Sequence, residues 1–157
     1  MQKINFYAQF PEAFKKLGEI EALTKQSTLS PLIIHMVKLR ASQINGCAFC
    51  VDMHVKEARL DKEKELRLHH VAVWPESPLF TPKEKAALLW TESVTKLSQG
   101  AVKDKIFAEV KEHFSEKELV ELTMVIAMIN VWNRCAAPFA AVPGSSDKAY
   151  GLDKAGL

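Results

Sequence analysis

Residue patterns that mark the ends of helices recur along this chain. They constrain its fold more than any other feature. Ser30 is followed by Pro31, which pairs a preferred N-cap residue with proline at the first helical position. Two capping boxes, at residues 81–84 (Thr-Pro-Lys-Glu) and 115–118 (Ser-Glu-Lys-Glu), each predict the start of another helix. No alternating apolar and polar run of convincing length is present, and glycine is scarce (6 residues). We therefore predict an all-α fold, a single-domain bundle of about six to seven helices.

The predicted helices follow one another with short breaks. They run from Pro11 to about Leu23, from Pro31 to about Ile44, from about Cys47 to Leu60, from Asp61 through about Val71, from Pro82 to about Leu97, from about Val102 to Phe114, and from Ser115 to about Ala140. Asn45-Gly46 ends the second, because glycine suits the left-handed position after a helix. The last helix is nearly apolar all round between Leu122 and Ile129, so we expect it at the centre of the bundle.

The chain shows no internal linker that would divide it. Residues 1–142 are predicted to form one helical domain. Residues 74–81 hold two prolines and are predicted to be a loop. Residues 143–157 begin with Pro-Gly-Ser-Ser and contain two further glycines, so we expect a loosely ordered C-terminal tail.

Composition and charge argue against several classes of protein. A hydrophobic fraction of 48% with 25% charged residues is typical of globular domains and disfavours disorder. A net charge of +2 without a long basic run argues against nucleic-acid binding. The apolar stretch Leu119–Val131 is interrupted by polar residues and is too short to span a bilayer. The N-terminus lacks a secretory pattern and there are only three cysteines, so we expect a cytoplasmic protein.

Two thiols and an imidazole at residues 47–54 carry the most informative chemistry. Cys47, Cys50 and His54 have the spacing i, i+3, i+7 and share one face of a helix. A first-turn position favours thiolates, because unpaired N–H groups and the helix dipole lower a thiol pKa from ~8.5 toward ~3.5–7.5. Helical geometry places the two Cα atoms roughly 5 Å apart, within disulfide range. His54 leans back toward Cys50 and can take its proton. The pattern predicts a redox-active dithiol beside a base.

Three other interpretations of these residues stay open. A zinc site would use both cysteines and His54, with Cys135 or His35 as the fourth ligand. A thioredoxin-like domain would need βαβ units, which the helical pattern lacks. The cysteines could also be buried and inert, as we expect for Cys135, which stands alone in an apolar helix. His35 lies on the buried stripe of its helix, where a histidine is more often a core residue than a ligand.

The segment from His35 to His54 resembles a known family. It is similar to the core of the alkylhydroperoxidase D-like proteins of the carboxymuconolactone decarboxylase superfamily, and residues 129–134 (Ile-Asn-Val-Trp-Asn-Arg) resemble that family's last helix. The resemblance implies an all-α fold that assembles as homo-oligomers, commonly trimers or hexamers. It also implies thiol-dependent reduction of hydroperoxides without a bound cofactor or metal. The implied partners are a hydroperoxide substrate and a thiol or lipoylated-protein reductant.

The resemblance also implies a role for each site residue. Cys50 matches the cysteine that attacks the peroxide, Cys47 the one that resolves the sulfenic acid into a disulfide, and His54 the histidine of the proton relay. Two positions depart from the family pattern. His35 stands twelve residues before the first cysteine, where the family usually has glutamate, and Phe49 stands where the founding type has histidine. His35 is therefore a second candidate for the proton relay.

The sequence thus predicts an antioxidant oxidoreductase, a thiol-dependent peroxidase that reduces organic hydroperoxides through the Cys47/Cys50 dithiol. Two alternatives stay open. One is a carboxymuconolactone decarboxylase-type lyase on the same fold, whose relatives do not need two cysteines at this spacing. The other is a non-enzymatic metal-binding or oligomeric interaction module. A homo-oligomer is also expected because the apolar helices offer more surface than one small domain can bury.

Overall fold

A computed structural model of the chain, which describes residues 2–156, consists of α-helices joined by loops and short 3₁₀ turns, with no β-strand among those residues. The helices are α1 (Phe6–Gln9), α2 (Pro11–Thr24), α3 (Pro31–Ile44), α4 (Ala48–Leu60), α5 (Glu65–His70), α6 (Pro82–Thr95), α7 (Asp104–Lys111), α8 (Glu116–Ala136) and α9 (Asp147–Tyr150). The predicted all-α fold class is confirmed. The short helix α1 was not predicted, because one turn leaves no periodic pattern in the sequence.

Local capping explains where the two strongest predicted helices begin. In both capping boxes, the hydroxyl of Thr81 or Ser115 accepts a hydrogen bond from the backbone N–H three residues later, and the glutamate at that position accepts one in return. Ser30 makes no such side-chain bond, so Pro31 and the backbone alone mark the start of α3. Helix α8 ends at Ala136 rather than near Ala140, because the ring of Pro138 cannot continue a helix.

Helix α8 was predicted to lie at the centre of the bundle, and it shares that position with α3, which packs on α4, α6 and α8. Helix α8 itself packs against α2, α3, α4 and α6. Its buried side chains are Leu119, Leu122, Val125, Ile126, Met128, Ile129, Asn133 and Ala136. With 21 residues, α8 is long and apolar enough, by length and composition, to cross a membrane. The stretch Leu119–Val131, which was predicted to be too short to span a bilayer, is part of this longer helix. Packing on four other helices accounts for that apolar composition.

The segment after α8 is packed on α4, although the sequence predicted a loosely ordered tail. Lys56, with a side chain only 7% exposed, forms ion pairs with Asp52 (2.8 Å) and Asp147 (2.7 Å). The backbone N–H of Gly144 donates a hydrogen bond to Asp52 at 2.9 Å, and Leu152 is buried. These partners lie about ninety residues earlier in the chain, so no local pattern reveals them.

Among residues 2–156, two clusters of buried apolar side chains stabilise the bundle. The larger one is built mainly from α3, α6 and α8. The smaller one surrounds the paired cysteines and contains Phe6, Ala41, Cys47, Phe49, Cys50, Ile129 and Ala136. The smaller cluster lies next to His54, the one buried histidine near thiols in the described part of the chain. Its side chains therefore form part of the candidate site.

Candidate active site around Cys50

The turn between α3 and α4 places both predicted cysteines at the start of α4. Gly46 adopts the left-handed conformation (φ 64°) that lets the chain leave α3. Cys47 is the N-cap residue of α4, and its sulfur accepts a hydrogen bond from the backbone N–H of Cys50 at 3.3 Å. The side chain of Asn45 donates hydrogen bonds to Asn130 (3.0 Å) and Asn133 (2.8 Å), which attach this turn to α8.

Cys47 and Cys50 are joined in a disulfide. Their Cα atoms are 5.3 Å apart, in agreement with the separation of about 5 Å expected from helical geometry. Both residues are buried, but only Cys50 lines the large cavity described below. Cys135 is a free, half-buried cysteine, and burial raises the pKa of its thiol. The structure therefore gives the two paired cysteines unequal access to a ligand.

A cavity of about 570 Å³ opens beside Cys50, a size within the usual range for small-molecule sites. Helices α1, α2, α4 and α8 supply most of its wall, and Tyr150 of α9 contributes from the C-terminal segment. The aromatic side chains that line it are Phe6, Tyr7, Phe14, Phe49, Trp132 and Tyr150. Phe49, one of the two departures from the family pattern, thus forms part of an apolar wall. A histidine at this position, as in the founding type, would add a proton donor to the cavity.

His54 also lines this cavity, and its side chain is only 9% exposed. Its Nδ1 lies 2.8 Å from Oε2 of Glu57, which is one turn later on the same helix. Burial lowers the pKa of His54, and the adjacent Glu57 offsets this effect only in part. The imidazole is therefore neutral near pH 7. Because Glu57 accepts the Nδ1 proton, Nε2 is the nitrogen that is left as a base.

Glu57 is a functional candidate that the sequence-based prediction missed. Burial raises the pKa of its carboxyl, but the hydrogen bond from His54 and the charges of Lys38 and Lys25 outweigh burial and hold the pKa far below its usual range. The Nζ atom of Lys25 lies 3.5 Å from Oε1. A signal was present, because Glu57 follows Cys50 by seven residues and His54 by three, which is the same helix face.

A buried ion pair borders the cavity beside this face. Lys38 of α3 is 2% exposed and forms an ion pair with Glu21 of α2. The indole N–H of Trp132 donates a hydrogen bond to the same carboxylate at 3.2 Å. Both charged residues line the cavity. Sequence reasoning did not single out this pair, because its members are on different helices.

His35 lies apart from the other predicted site residues. Its Nε2 is 2.6 Å from Oδ2 of Asp61, and its Nδ1 is buried with no hydrogen-bond partner among residues 2–156. It does not line the Cys50 cavity. It lines a second, smaller cavity of about 310 Å³, which shares Lys25, Lys38 and Glu57 with the first. The structure thus brings Cys47, Cys50 and His54 together and leaves His35 on the far side of Glu57.

The ligand set of the alternative zinc site is not assembled. Within the described part of the chain, no group of three or more His, Cys, Asp or Glu side chains is arranged to hold a metal ion. Cys47 and Cys50 are bonded to each other, and His35 is engaged by Asp61. The arrangement instead combines a dithiol, a buried base with its carboxylate, and an apolar cavity, which is suited to thiol redox chemistry on a small organic molecule.

Comparison with known proteins agrees with this geometry. The sequence profile of the carboxymuconolactone decarboxylase family matches residues 8–93. The uncharacterized protein YdfG of Bacillus subtilis is 39% identical over 133 residues, which are 85% of this chain and 90% of that protein. A crystal structure of ATU0492 from Agrobacterium tumefaciens, described as a protein of unknown function and a candidate antioxidant defence protein AhpD, is 44% identical with a TM-score of 0.88. That match covers 91% of this chain and 98% of the other.

A more distant structure shares the fold alone. The debrominase Bmp8 is 17% identical with a TM-score of 0.79, and the match covers 94% of this chain and 79% of that one. The family profile spans more than half of the chain, and the two nearer relatives extend the similarity over most of its length. The chain therefore belongs to the carboxymuconolactone decarboxylase family and is one of its AhpD-like members.

Proposed function

We propose that the protein is a thiol-dependent peroxidase that reduces organic hydroperoxides through a Cys47/Cys50 dithiol–disulfide cycle. The observation that carries this proposal is that Cys50, of the two paired cysteines, faces a cavity that His54 also lines. Similarity to an AhpD-type protein supports it. A lyase on the same fold would not need the dithiol, so the disulfide favours the peroxidase.

The first step uses the reduced protein. Nε2 of His54 takes the proton from the Cys50 thiol, and Glu57 stabilises the imidazolium that forms. The Cys50 thiolate attacks the terminal peroxide oxygen and forms an S–O bond, while the O–O bond breaks. The leaving alkoxide takes the proton back from His54 and departs as an alcohol. Cys50 is thereby oxidised to a sulfenic acid, and the peroxide is reduced.

The second step forms the disulfide between Cys47 and Cys50. The Cys47 sulfur attacks the Cys50 sulfenic acid, an S–S bond forms, and water leaves with the thiol proton. The Cα separation of 5.3 Å allows this bond without movement of the backbone. A dithiol reductant, free or carried by a lipoylated protein, then returns two electrons and is itself oxidised to a disulfide. No bound cofactor is needed for the cycle.

His35 has a lesser role in this proposal. Its cavity meets the first one at Glu57 and Lys38, so water there can exchange protons with the His54–Glu57 pair. We also propose that the protein works in the cytoplasm as a homo-oligomer, a trimer or hexamer. Exposed apolar side chains such as Phe10 (62%), Leu23 (65%) and Val120 (64%) support association.

Cys47→Ser is expected to stop the cycle after one reduction. The reduced variant, without added thiol, should consume one equivalent of hydroperoxide and hold Cys50 as a sulfenic acid, because the resolving thiol is absent. Trapping with dimedone followed by mass spectrometry measures this species. The unmodified protein, treated in the same way, should give the disulfide and little adduct. Equal dimedone labelling of both proteins would contradict the assignment of Cys47 as the resolving cysteine.

Glu57→Gln is expected to lower kcat/KM by about 10–100-fold, since the imidazolium loses its negative partner. The pH dependence should also move. Activity needs neutral His54, so it falls as the pH drops through the pKa of His54. The Glu57 carboxylate raises that pKa, so its removal should shift the acid limb of the kcat/KM profile to lower pH.

His35→Gln is the comparison for this experiment. Because His35 contacts Asp61 rather than His54, its replacement should change kcat/KM less and leave the acid limb in place. If the acid limb moves in His35→Gln and stays fixed in Glu57→Gln, then His35 rather than Glu57 is the residue that sets the pKa of His54.

A further inference from the structure

One face of α2 forms a wall of the Cys50 cavity. The residues that line it recur at helical spacing: Phe14, Lys15, Gly18, Glu21, Ala22 and Lys25. Thr24 is the buried residue of this helix, and Phe14 packs beside Trp132 of α8. The rest of the inner side of α2 borders the open cavity.

The cavity is far larger than a peroxide group requires. Its volume of about 570 Å³ lies in the range of sites that hold drug-sized ligands, whereas hydrogen peroxide has two heavy atoms. Gly18 extends the space, because a Cβ atom at this position would meet nothing within 4 Å. Glycine is unfavourable inside a helix. Its presence on this wall therefore indicates that the space beside Gly18 holds part of a ligand. The aromatic side chains opposite suit an apolar ligand.

The charges along the cavity are paired, with one exception. Glu21 is bonded to Lys38, and Glu57 is bonded to His54 with Lys25 nearby. Lys15 is exposed and, among residues 2–156, has no ion pair. The next residue, Lys16, points elsewhere: it pairs with Glu19 at 2.8 Å and does not line the cavity. The cavity thus has an apolar body and one uncompensated positive charge at its solvent-exposed edge.

We propose that the cavity takes an apolar carboxylate, and that the substrate is an amphipathic hydroperoxide of this class. Its hydrocarbon part lies against Phe14, Trp132 and the space at Gly18, and its carboxylate lies at Lys15. The peroxide part of this assignment rests on the proposed function. The recognition of an apolar carboxylate does not, because it depends on the wall and charge of the cavity alone.

Binding without chemistry tests the recognition. Dodecanoate and dodecanol, which lack a peroxide, are titrated into the full-length protein by isothermal calorimetry below their micellar concentrations. Dodecanoate is expected to bind about fivefold more tightly, the upper end of what one exposed ion pair supplies. The preference should vanish in Lys15→Gln and at high salt, and persist in Lys16→Gln, which removes the same charge one residue away. Equal affinities in the unmodified protein, or a preference that survives Lys15→Gln, would overturn the proposal.

Turnover separates this inference from the proposed function. The unmodified protein should show a higher kcat/KM for linoleic acid hydroperoxide than for its methyl ester. Gly18→Leu should lower the ratio of kcat/KM for the acid to that for tert-butyl hydroperoxide, whereas Glu19→Leu on the solvent side should not. Reduction of tert-butyl hydroperoxide with no preference for the acid would overturn the substrate class alone. If no hydroperoxide is reduced while dodecanoate still binds at Lys15, the peroxidase proposal fails and the carboxylate site stands.

Discussion

The Cys50→Ser variant is expected to lose reduction of organic hydroperoxides, with a fall in rate on the order of 10³ or more. Of the two cysteines at the start of α4, Cys50 is the one that lines the cavity, and a serine hydroxyl supplies no thiolate. The substitution nearly conserves the side-chain volume, so the fold should be retained. Stopped-flow mixing of the reduced variant with a panel of hydroperoxides, followed by peroxide consumption, measures the effect.

Cys135→Ser is the matched control for this experiment. It makes the same atomic change at a half-buried free cysteine whose thiol pKa is raised by burial, so it should retain the activity of the unmodified protein. Circular dichroism of both variants checks that the helices are intact. Unchanged turnover in Cys50→Ser would contradict the assignment of Cys50 as the attacking residue. Loss of turnover in Cys135→Ser alone would assign that role to Cys135.

Glu21→Gln is expected to destabilise the protein by about 3 kcal/mol, the lower end of the cost of breaking a buried ion pair. The variant leaves the charge of Lys38 without a partner at a position only 2% exposed. The lower end applies because the pair borders a cavity that water can enter. For a chain of this length the fall in Tm should be about 6–12 °C. Chemical denaturation and differential scanning calorimetry measure both quantities.

The chain offers a matched control on the same helix. Glu19→Gln breaks the pair between Lys16 and Glu19, whose side chains are 74% and 50% exposed, and should cost less than about 1 kcal/mol. In the double variant Glu21→Gln/Lys38→Met, most of the lost stability should return because neither charge of this pair is left buried without the other. Equal losses for Glu21→Gln and Glu19→Gln would show that the buried pair contributes no more than a surface pair.

Signals carried by neighbouring residues were reliable guides to this protein. The capping boxes at Thr81 and Ser115 begin helices as predicted, because both halves of each box lie within four residues. The same holds for Cys47, Cys50 and His54, whose shared helix face follows from their spacing. Glu57 belongs to that face as well, but a glutamate on a helix is usually solvent-exposed, so its position alone did not mark it as a functional residue.

Contacts between residues that are far apart in the chain could not be predicted from local sequence patterns. Glu21 and Lys38 come together from two helices, and Lys56 holds the C-terminal segment through Asp147 across ninety-one residues. His35, the second candidate for the proton relay, contacts Asp61 from the loop after α4, a partner twenty-six residues away in the chain. Each of these contacts depends on how helices pack, which no local pattern specifies.

The order of residues is enough to predict that the chain is all-helical and that two thiols and an imidazole share one face at the start of a helix, whereas its family was indicated by the resemblance of residues 35–54. Hydrophobic periodicity, capping and residue spacing are short-range properties, so they can be derived from the order of residues alone. Helix packing, in contrast, selects Cys50 rather than Cys47 to face the cavity and leaves Lys15 of α2 beside an apolar wall. Those outcomes depend on the packing of α1, α2, α8 and the C-terminal segment around α4, where burial and long-range ion pairs select one arrangement.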